Sequence, residues 1–275
     1  MEAYPDLAAY GRAGVHEGLQ GQGGLFLASD MARRLTLRPG MCILDLGCGF
    51  GASSLFLATK GDVTVFAVDE DVPDDLGERA HARGVGGRVI PVRADCRRLP
   101  FGRGQFDAVF SMNAFFYFGT DDLYPSYLLE FMKDAGEVVI GSPCYRSELD
   151  DSVPSELLLE FPDCLAVHSP AWWRWHFEKT RSIDVVESEL HPRRVEFWED
   201  RVRFLLGNQA IELMSPGRRA MVLGILRMLN ADDSGFVSHF ILHGRKRTRG
   251  RDASNSDDPF VITCLPPRLT ISRSR

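Results

Sequence analysis

The sequence predicts an α/β fold wound around a mainly parallel sheet, and three observations carry that reading. Short apolar runs alternate with helical patterns along the chain, the signature of βαβ units. One run, Ile43-Leu44-Asp45-Leu46, passes directly into Gly47-Cys48-Gly49-Phe50-Gly51 and then into a helical pattern. Apolar residues make up 44% and charged residues 25% of 275, so a sizeable core can form without metal or disulfide staples.

The elements follow in order. Ala28, Met31, Ala32 and Leu35 repeat at i, i+3, i+4, i+7, which predicts an amphipathic helix within 24–35. Arg38-Pro39-Gly40 breaks it, and Met41–Leu46 reads as a buried first strand. The glycine turn opens a second helix with Ala52, Leu55, Phe56 and Thr59 on one face. Strands are expected at 63–68, 88–92, 106–111 and 137–141, with a helix near 122–132 before the last of these. Residues 143–168 carry three prolines and weak periodicity, and are expected to form an insertion or lid. Ser169-Pro170 marks a helix start, with Ser as N-cap and Pro at the first helical position, running to about Lys179. A strand at 183–188, two helices within 193–231 split at Ser215-Pro216-Gly217, and a strand at 236–242 complete a domain of residues 1–247. Residues 248–275 are Arg-, Ser- and Pro-rich without a period and are expected to be a disordered basic tail.

Composition excludes several function classes. No apolar run approaches the ~20 residues of a membrane-spanning helix. The start Met1-Glu2-Ala3-Tyr4-Pro5-Asp6 lacks the basic and apolar regions of a secretion signal. Six cysteines without a Cys-x-x-Cys pair argue against a zinc site or disulfide framework and for a reducing, cytoplasmic setting. The net charge of −6 divides into +5 for residues 245–275 and −11 for the rest. An acidic body is a poor match for nucleic acid, whose binding rests on Lys and Arg meeting phosphates.

The chemistry is concentrated at Asp45–Gly51. Glycines permit a tight turn and close approach of a ligand to the backbone, and a helix N-terminus presents free N–H groups. Gly-x-Gly-x-Gly alone is shared by several nucleotide folds. Two details separate this loop from the dinucleotide fingerprint: the third glycine follows after one residue rather than two, and Asp45 precedes the first glycine by two. A carboxylate there repels phosphate and welcomes the ammonium of an amino acid.

With these residues the stretch resembles motif I of the class I S-adenosylmethionine-dependent methyltransferases, and the resemblance extends over roughly residues 24–142. It implies a Rossmann-like, doubly wound seven-stranded sheet with an antiparallel last strand. It also implies that Asp45 and the backbone of Leu46, Gly47, Cys48, Gly49 and Gly51 hold the methionine part of the cofactor. Asp69 ends the second strand, where an acid accepts hydrogen bonds from ribose hydroxyls, with Glu70 and Asp71 as neighbouring alternatives. Asp95 and Cys96, after the third strand, match the family's adenine side, although Asp95 also suits an Asx-type turn. Asn113, after the fourth strand, falls near the methionine portion, and Asp107 at that strand's far end reads as structural.

The catalytic candidates are Tyr117, the polar member of Ala114-Phe115-Phe116-Tyr117-Phe118, and His176 in Trp172-Trp173-Arg174-Trp175-His176, with His168 and His191 as further candidate bases. A base is needed only when the acceptor must lose a proton. Ser111-Met112-Asn113-Ala114 stands where enzymes acting on exocyclic base nitrogens carry Asn/Asp-Pro-Pro-Tyr/Phe, and no carboxylate set of the metal-dependent catechol type is evident. A small-molecule acceptor is therefore the expected partner. A protein or RNA acceptor docked on the basic tail, and a non-catalytic cofactor-binding protein, are the alternatives; a dinucleotide-dependent oxidoreductase fits the glycine spacing less well.

Overall fold

The computed structural model describes residues 3–10, 14–16, 21, 23–151, 153, 157, 166–208, 212, 214–232 and 235–248. Seven strands form one sheet: β1 (Cys42–Leu46), β2 (Thr64–Asp69), β3 (Val89–Arg93), β4 (Phe106–Met112), β5 (Met132–Tyr145), β6 (Ile183–Leu190) and β7 (Val237–Lys246). Their order across the sheet is β3-β2-β1-β4-β5-β7-β6. The first five pair in parallel, and β7 runs antiparallel between β5 and β6.

Both faces of the sheet are covered, so the central strands read as unbroken apolar runs rather than as alternations. Successive side chains still point to opposite faces. Leu44, Leu46, Val109, Val138 and Ile140 enter one core, and Ile43, Val65, Ala67, Phe110 and Val139 enter the other. On the second face lie α1 (Gly24–Ala32), α2 (Ala52–Lys60) and α3 (Leu76–Ala82). On the first lie α4 (Tyr124–Glu130) and α5 (Pro170–Glu178), the latter through Trp173 and Phe177. Two longer helices, α6 (Arg194–Asn208) and α7 (Pro216–Ala231), precede β7. The chain before α1 forms a 3-10 turn over Pro5–Tyr10.

Most expected elements are present with ends shifted by a few residues. Ser169 caps α5 as expected, its Oγ accepting from the Trp172 amide at 3.2 Å. Two corrections follow, the first from tertiary pairing. The fifth strand is far longer than 137–141: it begins at Met132, shifts register against β4 between Phe106 and Ala108, and runs on to Tyr145 because β7 pairs with it from Glu137 to Tyr145. Residues 143–145, expected in the insertion, are therefore strand. The helix α3 was not expected at all, since Pro73-Asp74-Asp75 and Gly77 give it a loop-like sequence. Most of the remaining insertion, and the tail from residue 249, lie outside the described residues.

Candidate functional site

The carboxyl ends of β1, β2, β3 and β4 converge on one cleft of about 350 Å³, within the size range of small-molecule sites. This is the crevice where open parallel sheets collect ligands. β1 delivers the glycine loop to it. The amides of Gly47 and Cys48 both donate to the Val68 carbonyl, at 2.9 and 3.0 Å, which ties the loop to the end of β2. Gly47, Gly49 and Gly51 all have positive φ (68°, 52° and 79°), the left-handed region that L side chains enter at a cost. The three differ in what surrounds them. A Cβ at Gly47 would lie 2.3 Å from the Ala114 Cβ, and one at Gly51 would lie 2.4 Å from Leu76 Cδ1. A Cβ at Gly49 would meet nothing within 4 Å, because Gly49 lines the open cleft.

Of the expected cofactor residues, Gly47, Cys48, Gly49, Asp69, Glu70, Asp95, Cys96 and Asn113 line the cleft. Asp69 Oδ2 accepts from the Gly49 amide at 2.9 Å and Oδ1 from the Asp71 amide at 3.1 Å, so it is held at the mouth of the loop while Glu70 stands exposed beside it. Asp95 Oδ1 accepts from the Arg97 amide at 2.8 Å, the Asx-type turn, and yet Asp95 also lines the cleft. The Cys96 carbonyl accepts from Tyr124 Oη at 3.0 Å, and burial pushes the Cys96 thiol up to about 12. The Cys48 thiol is raised further by the same cause. Asn113 sits at φ 57°, a conformation Asn tolerates better than most residues, with its backbone N–H donating to the Gly141 carbonyl at 2.7 Å.

Three of the expected residues lie elsewhere. Leu46 is buried under the loop, and Gly51 packs on Leu76 as the N-cap of α2. Asp45 is fully buried beneath the glycine turn, where its Oδ2 accepts from Ser53 Oγ at 2.7 Å and Ser54 Oγ at 2.5 Å. Its Oδ1 has no hydrogen-bond partner among the described residues. Burial raises the Asp45 carboxyl from its ordinary 3.8 to about 6 despite the two serines.

The catalytic candidates separate in the same way. Tyr117 lines the cleft and is 48% exposed, with its backbone carbonyl accepting from Arg97 Nη2 at 2.5 Å. His176 does not line the cleft. It is fully buried, stacked on Trp172 with ring centroids 4.3 Å apart, and its Nε2 lies 2.8 Å from the Gly119 carbonyl. Burial depresses its pKa from 6.5 to about 4, so it holds a neutral ring as a packing element. His168 pairs with Glu148 at 2.7 Å, and His191 with Asp30 at 3.0 Å, both away from the cleft. Asp107 accepts from the Cys42 amide and the Lys133 ammonium, which fits its structural reading.

Sequence reasoning missed Gly21, Phe50, Ser53, Arg97, Met112, Ala114 and Phe118 as lining residues. Phe50, Ser53 and Arg97 adjoin motif residues and carry a local signal. Gly21 carries none: it reaches the cleft through a contact distant in the chain, where a Cβ would lie 2.4 Å from Asn113 Nδ2.

The cleft meets the demands of the cofactor that the motif implies. It combines an open backbone cradle at Gly49, carboxylates at two successive strand ends, and beneath the loop a buried carboxylate oxygen without a partner among the described residues. Residues 43–133 match the family model described as a methyltransferase domain. The chain is 28% identical over 128 residues to phosphoethanolamine N-methyltransferase 3 of Arabidopsis thaliana, an alignment covering 46% of this chain and 26% of that protein. The chain thus spans about a quarter of that curated relative's length. Among solved structures it resembles the Haemonchus contortus phosphoethanolamine N-methyltransferase 2 bound to S-adenosyl-L-methionine (TM-score 0.68, 18% identity, 90% of this chain and 60% of that one). It equally resembles the [4+2]-cyclase SpnF (TM-score 0.68, 17% identity, 90% of this chain and 95% of that one). Likeness at these identities speaks to fold. Family match, motif and strand order together show a methyltransferase domain over residues 43–133 of this chain.

Proposed function

We propose that the protein transfers a methyl group from S-adenosylmethionine to a small-molecule acceptor. The observation that carries this is the joining of the Gly47–Gly49 loop, Asp69 and Asp95 in one cleft with Tyr117 and Asn113 at its other side. In this reading the Gly47–Gly49 backbone and Asn113 hold the methionine portion, with Asp45 beneath them. Asp69 takes the ribose, with Glu70 as the neighbouring acid, and Asp95 and Cys96 face the adenine. The bound cofactor supplies a methyl group already activated by its sulfonium charge. The chain's own task is then to align the acceptor and exclude water. Tyr117 and Phe118 wall the cleft, and Gly21 lies against it.

Relatives named for a small-molecule substrate support the acceptor class, since the Arabidopsis thaliana and Haemonchus contortus proteins are named for phosphoethanolamine. We take residues 1–247 as one methyltransferase domain, followed by the tail. A cytoplasmic setting fits the four free cysteines among the described residues; no helix among those residues is long and apolar enough to cross a membrane.

The likeness to a cyclase favours one other reading, a domain that binds the cofactor without transferring from it. Incubating the protein with methyl-labelled S-adenosylmethionine and a metabolite extract separates the two. Label in a small molecule is expected; tight cofactor binding with no labelled product from any extract would overturn the transfer reading.

A further inference from the structure

A second cavity, of about 490 Å³, lies behind the glycine loop and is lined by none of the residues assigned to the cofactor. Phe50, 44% exposed, borders both cavities. The floor is apolar, formed by Leu25 of α1, Leu55 of α2 and the ring of Tyr10 from the segment before α1. The rim is basic. Arg79 and Arg83 stand one turn apart at the end of α3 and both line the cavity, as does Asp75 one turn before Arg79. Asp75 pairs with Arg79 Nε at 3.1 Å, whereas Arg83 forms no ion pair among the described residues. An exposed guanidinium at the mouth of an apolar floor is matched by a ligand carrying both kinds of surface.

The cavity is also wired to the cofactor loop. Arg79 Nη2 donates to the Phe50 carbonyl at 2.7 Å, so the cation that lines the second cavity holds the backbone between Gly49 and Gly51. A ligand anion that draws Arg79 onto itself must weaken that bond. Any such exchange acts in both directions, because coupling between two binding sites is reciprocal.

We propose that this cavity is a second ligand site. It takes a small amphipathic anion, with a carboxylate or phosphate head on Arg83 and Arg79 and an apolar body against Leu25, Leu55 and Tyr10. Its occupancy loosens the cofactor loop through the Arg79–Phe50 bond. The site does not depend on what the enzyme methylates.

Calorimetric titration of the full chain, without cofactor, tests it with octanoate and hexyl phosphate as probes. Octanol and inorganic phosphate serve as the probes lacking a charged head or an apolar body. At least one amphipathic anion should bind about tenfold tighter than either control, the gain of a charge-assisted contact over a bare surface. The carboxylate and phosphate arms show which head is preferred. Arg83→Gln should abolish the preference and Arg83→Lys should keep most of it, both leaving S-adenosylhomocysteine affinity within about twofold. Saturating probe should weaken S-adenosylhomocysteine binding about fivefold or more in the unaltered protein. Equal affinity for probes and controls, a preference that survives Arg83→Gln, or an unmoved S-adenosylhomocysteine affinity would each overturn the proposal.

Discussion

The amide of Gly49 donates to Asp69 Oδ2 at 2.9 Å, so the acid at the end of β2 is fastened to the glycine loop at the end of β1. A carboxylate offers about four acceptor positions. The amides of Gly49 and Asp71 take two of them, which leaves two for the hydroxyls of a ribose. In the proposed reading one side chain both shapes the loop and receives the ribose.

Replacing Asp69 tests both duties together. Asp69→Ala should weaken S-adenosylhomocysteine binding by roughly 2–4 kcal/mol, the loss of one or two charge-assisted hydrogen bonds. Asp69→Asn keeps an acceptor for the Gly49 amide and should lose less. Calorimetry reads both, and an unchanged affinity for Asp69→Ala would transfer the ribose role to Glu70 or Asp71.

The glycines make a contrasting pair. Gly47→Ala faces left-handed strain and an overlap with the Ala114 Cβ at 2.3 Å. These together should cost roughly 2–5 kcal/mol of stability. Gly49→Ala has the same kind of backbone strain, at φ 52°, with no neighbour within 4 Å. It should cost only about 1–2 kcal/mol in folding. Its methyl group enters the cleft, however, so cofactor affinity should fall further than stability does. Thermal melts beside ligand titrations resolve the two effects; equal melting temperatures for both variants would contradict the geometry.

Asp45 gives a pH dependence of definite sign. Its folded pKa, about 6, lies above the ordinary 3.8, so the folded state holds this proton more firmly than the unfolded chain. The contribution therefore favours folding below about pH 4 and is lost as pH rises through 6. At about 1.4 kcal/mol per unit, the cost of ionising this buried group is of the order of 3 kcal/mol at neutral pH. Asp45→Asn should accordingly be more stable than the natural protein at pH 7.5, without cofactor, and lose that advantage near pH 4. The same variant should bind S-adenosylhomocysteine less well if the buried carboxylate serves the ligand's ammonium. Denaturant titrations at several pH values decide the first point, and parallel curves for the two proteins would refute it.

The sequence reveals these features unevenly, for physical reasons. The loop at Gly47–Gly51 and the acids at Asp69 and Asp95 are legible because strand ends and tight turns are local and glycine spacing records them. That Asp45 lies under the loop instead of facing the cleft depends on Ser53 and Ser54, which reach it only after α2 folds back. Gly21 enters the cleft through a long-range contact with no period to announce it. The extension of β5 to Tyr145 is dictated by β7, almost a hundred residues away in the chain. His176 shows the converse. Its position among three tryptophans is equally compatible with a pocket and with a packed helix, and burial decides for packing.

That decision makes the last prediction, which sets His176 against Tyr117. His176 is held neutral by burial, its pKa depressed from 6.5 to about 4. Its contribution to stability is thus complete above pH 6.5 and lost as pH falls toward 4. His176→Gln should flatten that acid slope. It should also destabilise the protein at pH 7.5 by roughly 1–3 kcal/mol where the Gly119 carbonyl loses its partner. The shape of the pH–rate profile should not change, because the ring does not reach the cleft. Tyr117→Phe should do the opposite. An exposed side chain contributes little to folding, within about 0.5 kcal/mol, so the melting temperature should hold. If the tyrosine takes the acceptor's proton, turnover should fall by about 10²-fold or more while cofactor affinity stays put. A Tyr117→Phe enzyme with undiminished turnover would leave this residue as a wall of the cleft. A His176→Gln enzyme with a displaced pH–rate profile would return the histidine to the chemistry, and with it the arrangement of α5 would need to differ from the one described.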